Sequence, residues 1–313
     1  MVTGASGFIG RALSAALLDS GWELATLQRT PAPAQSPRVT SFSADLLHLA
    51  ALSATLEKIP TVDAVVHLAA LLPNATSTAA DYMVANGAAT AAVLEWARRA
   101  GAGVCVYASS TSVLGVPVEF PITEAHPTRP VHPYAVGKLA GEIYCEQVRR
   151  TSGLRTVSLR IASPYGPGMP ETTVLPKFVG QALRGGTLAY HGTGAREQVF
   201  VHVQDVVSAI VAALSGRAAG VFNVTGAGPV SMKQLAETIV TLSGNASAKV
   251  TAAGVPDLRR KVFAAPAFKS SSTNQPLPSA SAWNGTVSPN AVSNRCHPRA
   301  ALGTLKETME PCR

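Results

Sequence analysis

The chain is poor in aromatic residues, in cysteine and in charge. Phe, Trp and Tyr make up only 5% of its 313 residues, too few for the stacking platforms that single-stranded nucleic acids require. Lys and Arg number 26 against 18 Asp and Glu, a net charge of +8. The basic residues are scattered rather than gathered with aromatics, so an anionic small ligand or a basic solvated surface is expected, and no nucleic-acid partner. Four cysteines, Cys105, Cys145, Cys296 and Cys312, show no C-x-x-C spacing. No metal site is therefore expected, and Cys105 and Cys145, lying in apolar segments, read as inert buried thiols in a reducing compartment. Long hydrophobic runs are also missing. The longest, "VDAVVHLAALL", is too short to span a bilayer and carries Asp63 and His67. With no signal-like stretch before the opening glycines, the expectation is a cytoplasmic protein with no membrane partner.

What is present is apolar bulk: 47% hydrophobic residues can bury a large α/β core with a smaller lobe. Strand-like and helix-like segments alternate. "WELATL", "VDAVVHLAA" and "GVCVYASS" read as strands, the last two as buried parallel ones. "FIGRALSAALLDSGW", "DYMVANGAATAAVLEWARRAG" and "HPYAVGKLAGEIYCEQVRRTSG" read as helices closed by Gly21, Gly101 and Gly153. "LRTVSLRIASPYGPG" is a strand running into a turn. This order predicts a doubly wound parallel sheet of the Rossmann type. The expected division is a dinucleotide-binding domain over 1–165, its first strand cut short to Val2, then a smaller α/β substrate lobe over 166–263. That lobe holds helices in "TTVLPKFVGQALRGG" and "SMKQLAETIVTLSG", and "VFVHVQDVVSAIVAAL" as a strand followed by a helix; some of its elements return to the sheet. Residues 264–313, rich in Ser, Pro and Asn without a period, are expected to be poorly ordered.

Two clusters carry chemistry. "MVTGASGFIG" spaces Gly4, Gly7 and Gly10 before an apolar helix. Glycines allow the sharp turn and the close approach to a pyrophosphate, and the helix N-terminus offers free N–H groups. Alone, the same run could be a tight surface turn. In "YAVGK", Tyr134 and Lys138 share one helical face. A lysine ammonium near the phenol would favour the phenolate and bring its pKa towards neutrality, so that Tyr134 could exchange a proton with a substrate hydroxyl or ketone. Ser110 ends a strand of the same sheet and could bond the same oxygen. Alone, this pair could be a half-buried tyrosine beside a solvated lysine. A dinucleotide loop, an orienting hydroxyl and a proton donor-acceptor in this order suit hydride transfer at a carbon–oxygen centre.

The phrases "VTGASGFIG", "HLAA", "VCVYASSTSVLG", "PYAVGKLAGE", "LRIASPYGPG", "VFVHVQDVVSAI" and "FNVTGAGPVSMKQLAE" resemble, in order, the extended short-chain dehydrogenase/reductases. The resemblance is to the NAD-dependent epimerase/dehydratase group acting on nucleotide sugars, from Val2 to about Phe263. It implies Ser110, Tyr134 and Lys138 as the catalytic trio, the last two also touching the cofactor. It implies Gly4, Gly7, Phe8, Ile9 and Gly10 as the pyrophosphate loop, and Asp45 and Leu46 as the adenine contact. Leu68, Ala69, Ala70 and Asn86 would line the cofactor, and Ile161 would sit near the nicotinamide. Thr111, Ser112, Ser163, Arg196 and Gln198 would face the substrate.

Departures from the family pattern narrow the expectations. Gln28 stands where an Asp is frequent and Arg29 follows it, so both are expected on the cofactor and NAD(P) is expected with NADP slightly favoured. Leu114 replaces a usual Tyr, and Ser163 a frequent Asn. Gln198 stands where many relatives hold Arg, with Arg196 as a possible substitute. Thr111 and Ser112 occupy the places where dehydratases carry acids, and neither hydroxyl titrates near neutral pH. The leading expectation is an NAD(P)-dependent nucleotide-sugar epimerase or ketoreductase, with a homodimer allowed. The alternatives are an NADP-dependent reductase of a non-sugar ketone or aldehyde and, beyond enzymes, a dinucleotide-binding sensor.

Overall fold

The computed structural model describes residues 1–30 and 36–254. The expectations for residues 255–263 and for the 264–313 tail lie outside the described residues. β1 (Val2–Thr3) runs through the glycine loop into α1 (Phe8–Asp19), and β2 (Leu24–Gln28), β3 (Val39–Ser43), α2 (Leu49–Leu56) and β4 (Ala64–His67) follow. β5 (Val104–Ser110), α5 (Pro133–Ser152) and β6 (Arg155–Ile161) complete the first half, and β10 (Gly220–Val224) joins from far along the chain. These seven strands are all parallel, in the order β10–β6–β5–β4–β1–β2–β3. β4 and all of β5 but Ser110 are buried on both faces, which is why those segments read as continuous apolar runs rather than alternating ones.

Helices cover both faces. α1 and α7 (Val203–Ser215) pack on one side over Val2, Leu13, Leu17, Val106 and Ile210. α2, α4 (Ala89–Arg99) and α5 cover the other over Leu27, Leu52, Val65, Trp96 and Tyr107. Strand order reverses at β1, between β4 and β2, so the crevice beyond the carboxyl ends of these strands is the expected ligand site of a doubly wound sheet. α5 ends as the sequence predicts, at left-handed Gly153 (φ 71).

The segment read as one helix closed by Gly101 is in fact three pieces: α3 (Ala79–Tyr82), a π-helical stretch (Met83–Ala88) and α4. Side-chain competition accounts for the wide turn. Thr90 Oγ1 donates to the Asn86 carbonyl at 2.8 Å, and the Asn86 amide pairs reciprocally with the Leu71 backbone at 2.8 and 3.0 Å. Hydrophobic periodicity does not register such a bulge.

The remaining elements build a second, smaller core. β7 (Ser163–Tyr165), β9 (Glu197–His202) and β11 (Pro229–Ser231) form one sheet, and β8 (Thr187–Tyr190) pairs with β12 (Lys249–Ala252). α6 (Val174–Leu183) and α8 (Met232–Ser243) enclose Leu175, Phe178, Leu188, Leu235 and Ile239. α8 starts on a capping box between Ser231 and Gln234. Among the described residues no helix is long and apolar enough to cross a membrane.

Candidate active site

The crevice is built around the glycine loop. Gly4 has φ +68, and a Cβ there would lie 2.8 Å from the Ala69 nitrogen. A Cβ on Gly10 would lie 2.1 Å from the Gly4 carbonyl oxygen. Both positions therefore exclude side chains by contact with backbone. Gly7 is the N-cap of α1 and supplies no side-chain cap, so the first-turn N–H groups of Phe8, Ile9 and Gly10 have no partner within the helix. A bare helix N-terminus in a cradle shaped by glycine fits a pyrophosphate. Arg11 braces the loop by donating to the Ser6 carbonyl and to the Gly168 carbonyl of the second lobe, each at 2.9 Å.

The flanking strands bring the other expected cofactor residues to the same edge. Gln28 ends β2, buried, and Arg29 beside it is exposed, its carbonyl accepting from Ser43 Oγ at 2.8 Å. Asp45 and Leu46 follow β3 and are half-buried; Asp45 caps the Leu47 N–H at 2.9 Å. Leu68, Ala69 and Ala70 follow β4, half-buried, with Ala69 against Gly4. Asn86 faces this edge from the π-helical stretch, but its amide is committed to the Leu71 backbone, so it shapes the crevice wall.

Ser110, Tyr134 and Lys138 converge from two elements. Ser110 closes β5 directly beside Ile161 of β6, and its Oγ accepts from the Ser112 N–H at 3.2 Å and the Ser112 hydroxyl at 2.9 Å. Thr111 is buried beside it. Tyr134 opens α5, where His132 caps its N–H at 3.1 Å, and its phenol lies close enough to feel the Ser110 hydroxyl. Lys138, buried one turn on, donates from Nζ to the Ala108 carbonyl at 2.7 Å and lies 4.9 Å from the Tyr107 ring centroid.

The electrostatics differ from the sequence expectation. Burial pushes the Tyr134 phenol up to about 12, only partly offset by the nearby Ser110 hydroxyl, rather than towards neutrality. Burial lowers Lys138 to about 7, against the raising effects of Cys145 and Glu142. The helical spacing is as predicted, but the Lys138 Nζ is turned to Ala108 and Tyr107, and desolvation dominates at the phenol.

Sequence reasoning passed over a buried ion pair behind the trio. Arg160 of β6 grips Glu142 of α5 with Nε at 3.0 Å and Nη2 at 2.9 Å, and Glu142 also accepts from Ser109 Oγ. Arg160 donates further to the Glu124 carbonyl at 3.1 Å. One cluster thus ties together the strands bearing Ser110 and Ile161 and the helix bearing Tyr134. Both residues lie inside phrases quoted above, "KLAGE" and "LRIAS"; their buried, opposite charges were the available signal. The residues expected to face the substrate also meet. Gln198 donates to Ser163 Oγ across the β7–β9 pair, and Arg196 Nη2 donates to Gln198 Oε1 at 2.9 Å.

Residues 1–225 match the NAD dependent epimerase/dehydratase family. The chain is 33% identical over 240 residues to a UDP-glucose 4-epimerase of Azospirillum brasilense, spanning 68% of this chain and 67% of that protein. It is 30% identical over 269 residues to a dTDP-glucose 4,6-dehydratase of Streptomyces niveus, spanning 78% and 77%. The structure of a Thermus thermophilus UDP-glucose 4-epimerase in complex with NAD superposes with a TM-score of 0.70 at 26% identity, over 84% of this chain and 89% of that one. A cradle that only glycine can line, at the switch point of a seven-stranded parallel sheet, and a family match over most of the chain lead to one conclusion: this protein is a member of the NAD-dependent epimerase/dehydratase family of extended short-chain dehydrogenase/reductase enzymes.

Proposed function

We propose that this protein is a nucleotide-sugar epimerase that works by reversible hydride transfer, with ketoreductase chemistry available at the same site. The observation that carries the proposal is the convergence of Ser110, at the carboxyl end of β5, and Tyr134, at the start of α5, with Lys138 one turn on and its Nζ bonded to the Ala108 carbonyl of β5. A bound NAD(P) would supply the hydride chemistry, held by the Gly4–Gly10 loop. Ser110 orients the substrate hydroxyl, and Tyr134 accepts or returns its proton. Burial keeps the phenol protonated until charge develops next to it. Lys138, poised at about 7 by burial, can lend a positive charge at that moment. Ser163, Gln198 and Arg196 form a connected polar wall suited to the nucleotide-sugar end of the substrate.

Thr111 and Ser112 stand beside Ser110 with hydroxyls in place of titrating acids, which favours epimerisation over dehydration. The buried Gln28 next to exposed Arg29 favours NADP acceptance alongside NAD. Exposed Met83, Val136, Ile143 and Tyr144 on the outer face of the π-helical stretch and α5 suit pairing with a second copy. The buried free thiols of Cys105 and Cys145 suit a reducing, cytoplasmic setting.

Incubation with UDP- and TDP-hexoses, followed by NMR of the sugar ring, tests the proposal. Inversion at one ring carbon is expected, without loss of water. Tyr134→Phe is expected to slow it by about a hundred- to ten-thousand-fold while NAD affinity changes by no more than about threefold. A 4-keto-6-deoxy product from the wild type, or full activity in the variant, would overturn it. Thermal stabilisation by apolar ketones but by no nucleotide sugar would favour the non-sugar reductase instead.

A further inference from the structure

His67 ends β4 and is buried. A neutral imidazole carries one donor nitrogen and one acceptor nitrogen. His67 has both engaged, and its partners settle which one carries the proton. Thr90 Oγ1 spends its single hydrogen on the Asn86 carbonyl at 2.8 Å, so it can only accept from His67 Nε2, 3.1 Å away. Nδ1 must then be the acceptor, and its partner at 2.7 Å is the Thr3 hydroxyl. Thr3 Oγ1 in turn accepts the Ala69 N–H at 3.1 Å. Every hydrogen in the chain Ala69–Thr3–His67–Thr90–Asn86 therefore points one way.

The two ends of this chain are walls of the cofactor crevice. Thr3 directly precedes Gly4, whose backbone touches Ala69, and Asn86 holds the Leu71 backbone from the π-helical stretch. Behind His67, the Tyr107 ring stacks on the imidazole with centroids 5.8 Å apart, and its other neighbour is the Lys138 ammonium.

We propose that His67, as the neutral Nε2–H tautomer, is a positioning residue that joins the glycine loop to the Asn86 turn and so sets the width of the cofactor crevice. The proposal rests on the functional reading only in taking that crevice to hold a dinucleotide. A second proton on Nδ1 would leave Thr3 facing two donors, Ala69 N–H and Nδ1–H, and would reverse the link at its centre. The groups packed around the ring are uncharged or cationic. β1 and the helical segment contribute the uncharged Thr3, Asn86 and Thr90, β5 contributes Tyr107, and α5 contributes Lys138. Burial first, and the Lys138 charge second, hold the imidazole down at about 3.

Two measurements on the full-length protein test this. Nitrogen-15 NMR of labelled histidine, assigned by the signal lost in His67→Gln, is expected to show Nε2 protonated and Nδ1 bare from about pH 5 to about pH 8, without titration. A protonated Nδ1, or a transition in that range, would overturn the proposal. NAD dissociation constants are then compared for wild type, Thr90→Val, Thr3→Val and the double variant, each checked for an intact fold by circular dichroism. Each single change is expected to weaken NAD by about tenfold, and the double change to do little more, because one broken link already uncouples the two walls. Unchanged NAD affinity in folded variants, or losses that multiply, would overturn it. A wild type that does not bind NAD would instead sink the functional reading, and the NMR result would still decide the tautomer.

Discussion

The crevice of the large sheet and the wall contributed by the small lobe are both polar, yet they are built in opposite ways. In the crevice, polar groups are buried and locked: Thr3, His67, Asn86, Thr90, Glu142 and Arg160 all lie in the interior, most of them in directed hydrogen bonds. Thr3, His67 and Arg160 hang from parallel strands whose register leaves little freedom, and Asn86, Thr90 and Glu142 reach them from the covering helices. The lobe wall rests on strands of three to six residues in a small mixed sheet, and Ser163, Arg196 and Gln198 are only half-buried. Low dielectric and fixed geometry suit a site where charge moves during reaction, because a preorganised polar group needs no reorganisation then. A half-exposed wall suits discrimination among ligands, since its residues can change without leaving a buried group unpaired. Under the proposed function, this contrast assigns the chemistry to the sheet and the choice of substrate to the lobe.

Three substitutions would break or sharpen that contrast. The largest effect is expected in the crevice. Gly10→Ala places a Cβ 2.1 Å from the Gly4 carbonyl oxygen and 2.7 Å from Ala5 Cα, all backbone that cannot swing aside. A stability loss of about 1–3 kcal/mol is expected, with NAD affinity down by more than about tenfold. Denaturant unfolding and calorimetric titration would read both, and wild-type values in both would show that the loop is not held as described. In the lobe, Gln198→Ala removes the link between Arg196 and Ser163. A loss worth one hydrogen bond is expected, raising KM for the nucleotide sugar by up to about tenfold with kcat nearly unchanged. A fall in kcat without a change in KM would move Gln198 into the chemistry and erase the contrast. The smallest effect belongs to Arg29, which lies between the two regimes: exposed, but at the edge of the sheet. Arg29→Ala is expected to lower NADP affinity relative to NAD by only a few-fold, about the value of an exposed ion pair. An unaltered ratio of the two dissociation constants would assign any NADP binding to other residues.

Much of this was legible in the residues because the relevant physics is local. Gly4 and Gly10 announce a backbone that no side chain can enter, and the i, i+4 spacing of Tyr134 and Lys138 puts them on one helical face wherever that helix lies. The buried runs "AVVH" and "VCVYASS" can hardly be anything but central parallel strands. The weaker elements escaped. β3 and α2, together with the short strands β8, β11 and β12, lack a strong period, and β10 joins the sheet only through its pairing with β6, more than fifty residues earlier in the chain.

What the chain alone determined, then, is its family, its sheet and the identity of the groups at the crevice, since these follow from residue type, order and short-range spacing. What only the tertiary structure decided is their electrical state and their partners. Burial drives Tyr134 up to about 12 and Lys138 down to about 7, although the spacing had suggested an acidified phenol. Packing pairs Glu142 with Arg160 and threads His67 between two threonines from different elements. Desolvation and hydrogen-bond direction depend on what surrounds a group in three dimensions, and residues as far apart as Thr3 and Thr90 become neighbours only when the sheet closes.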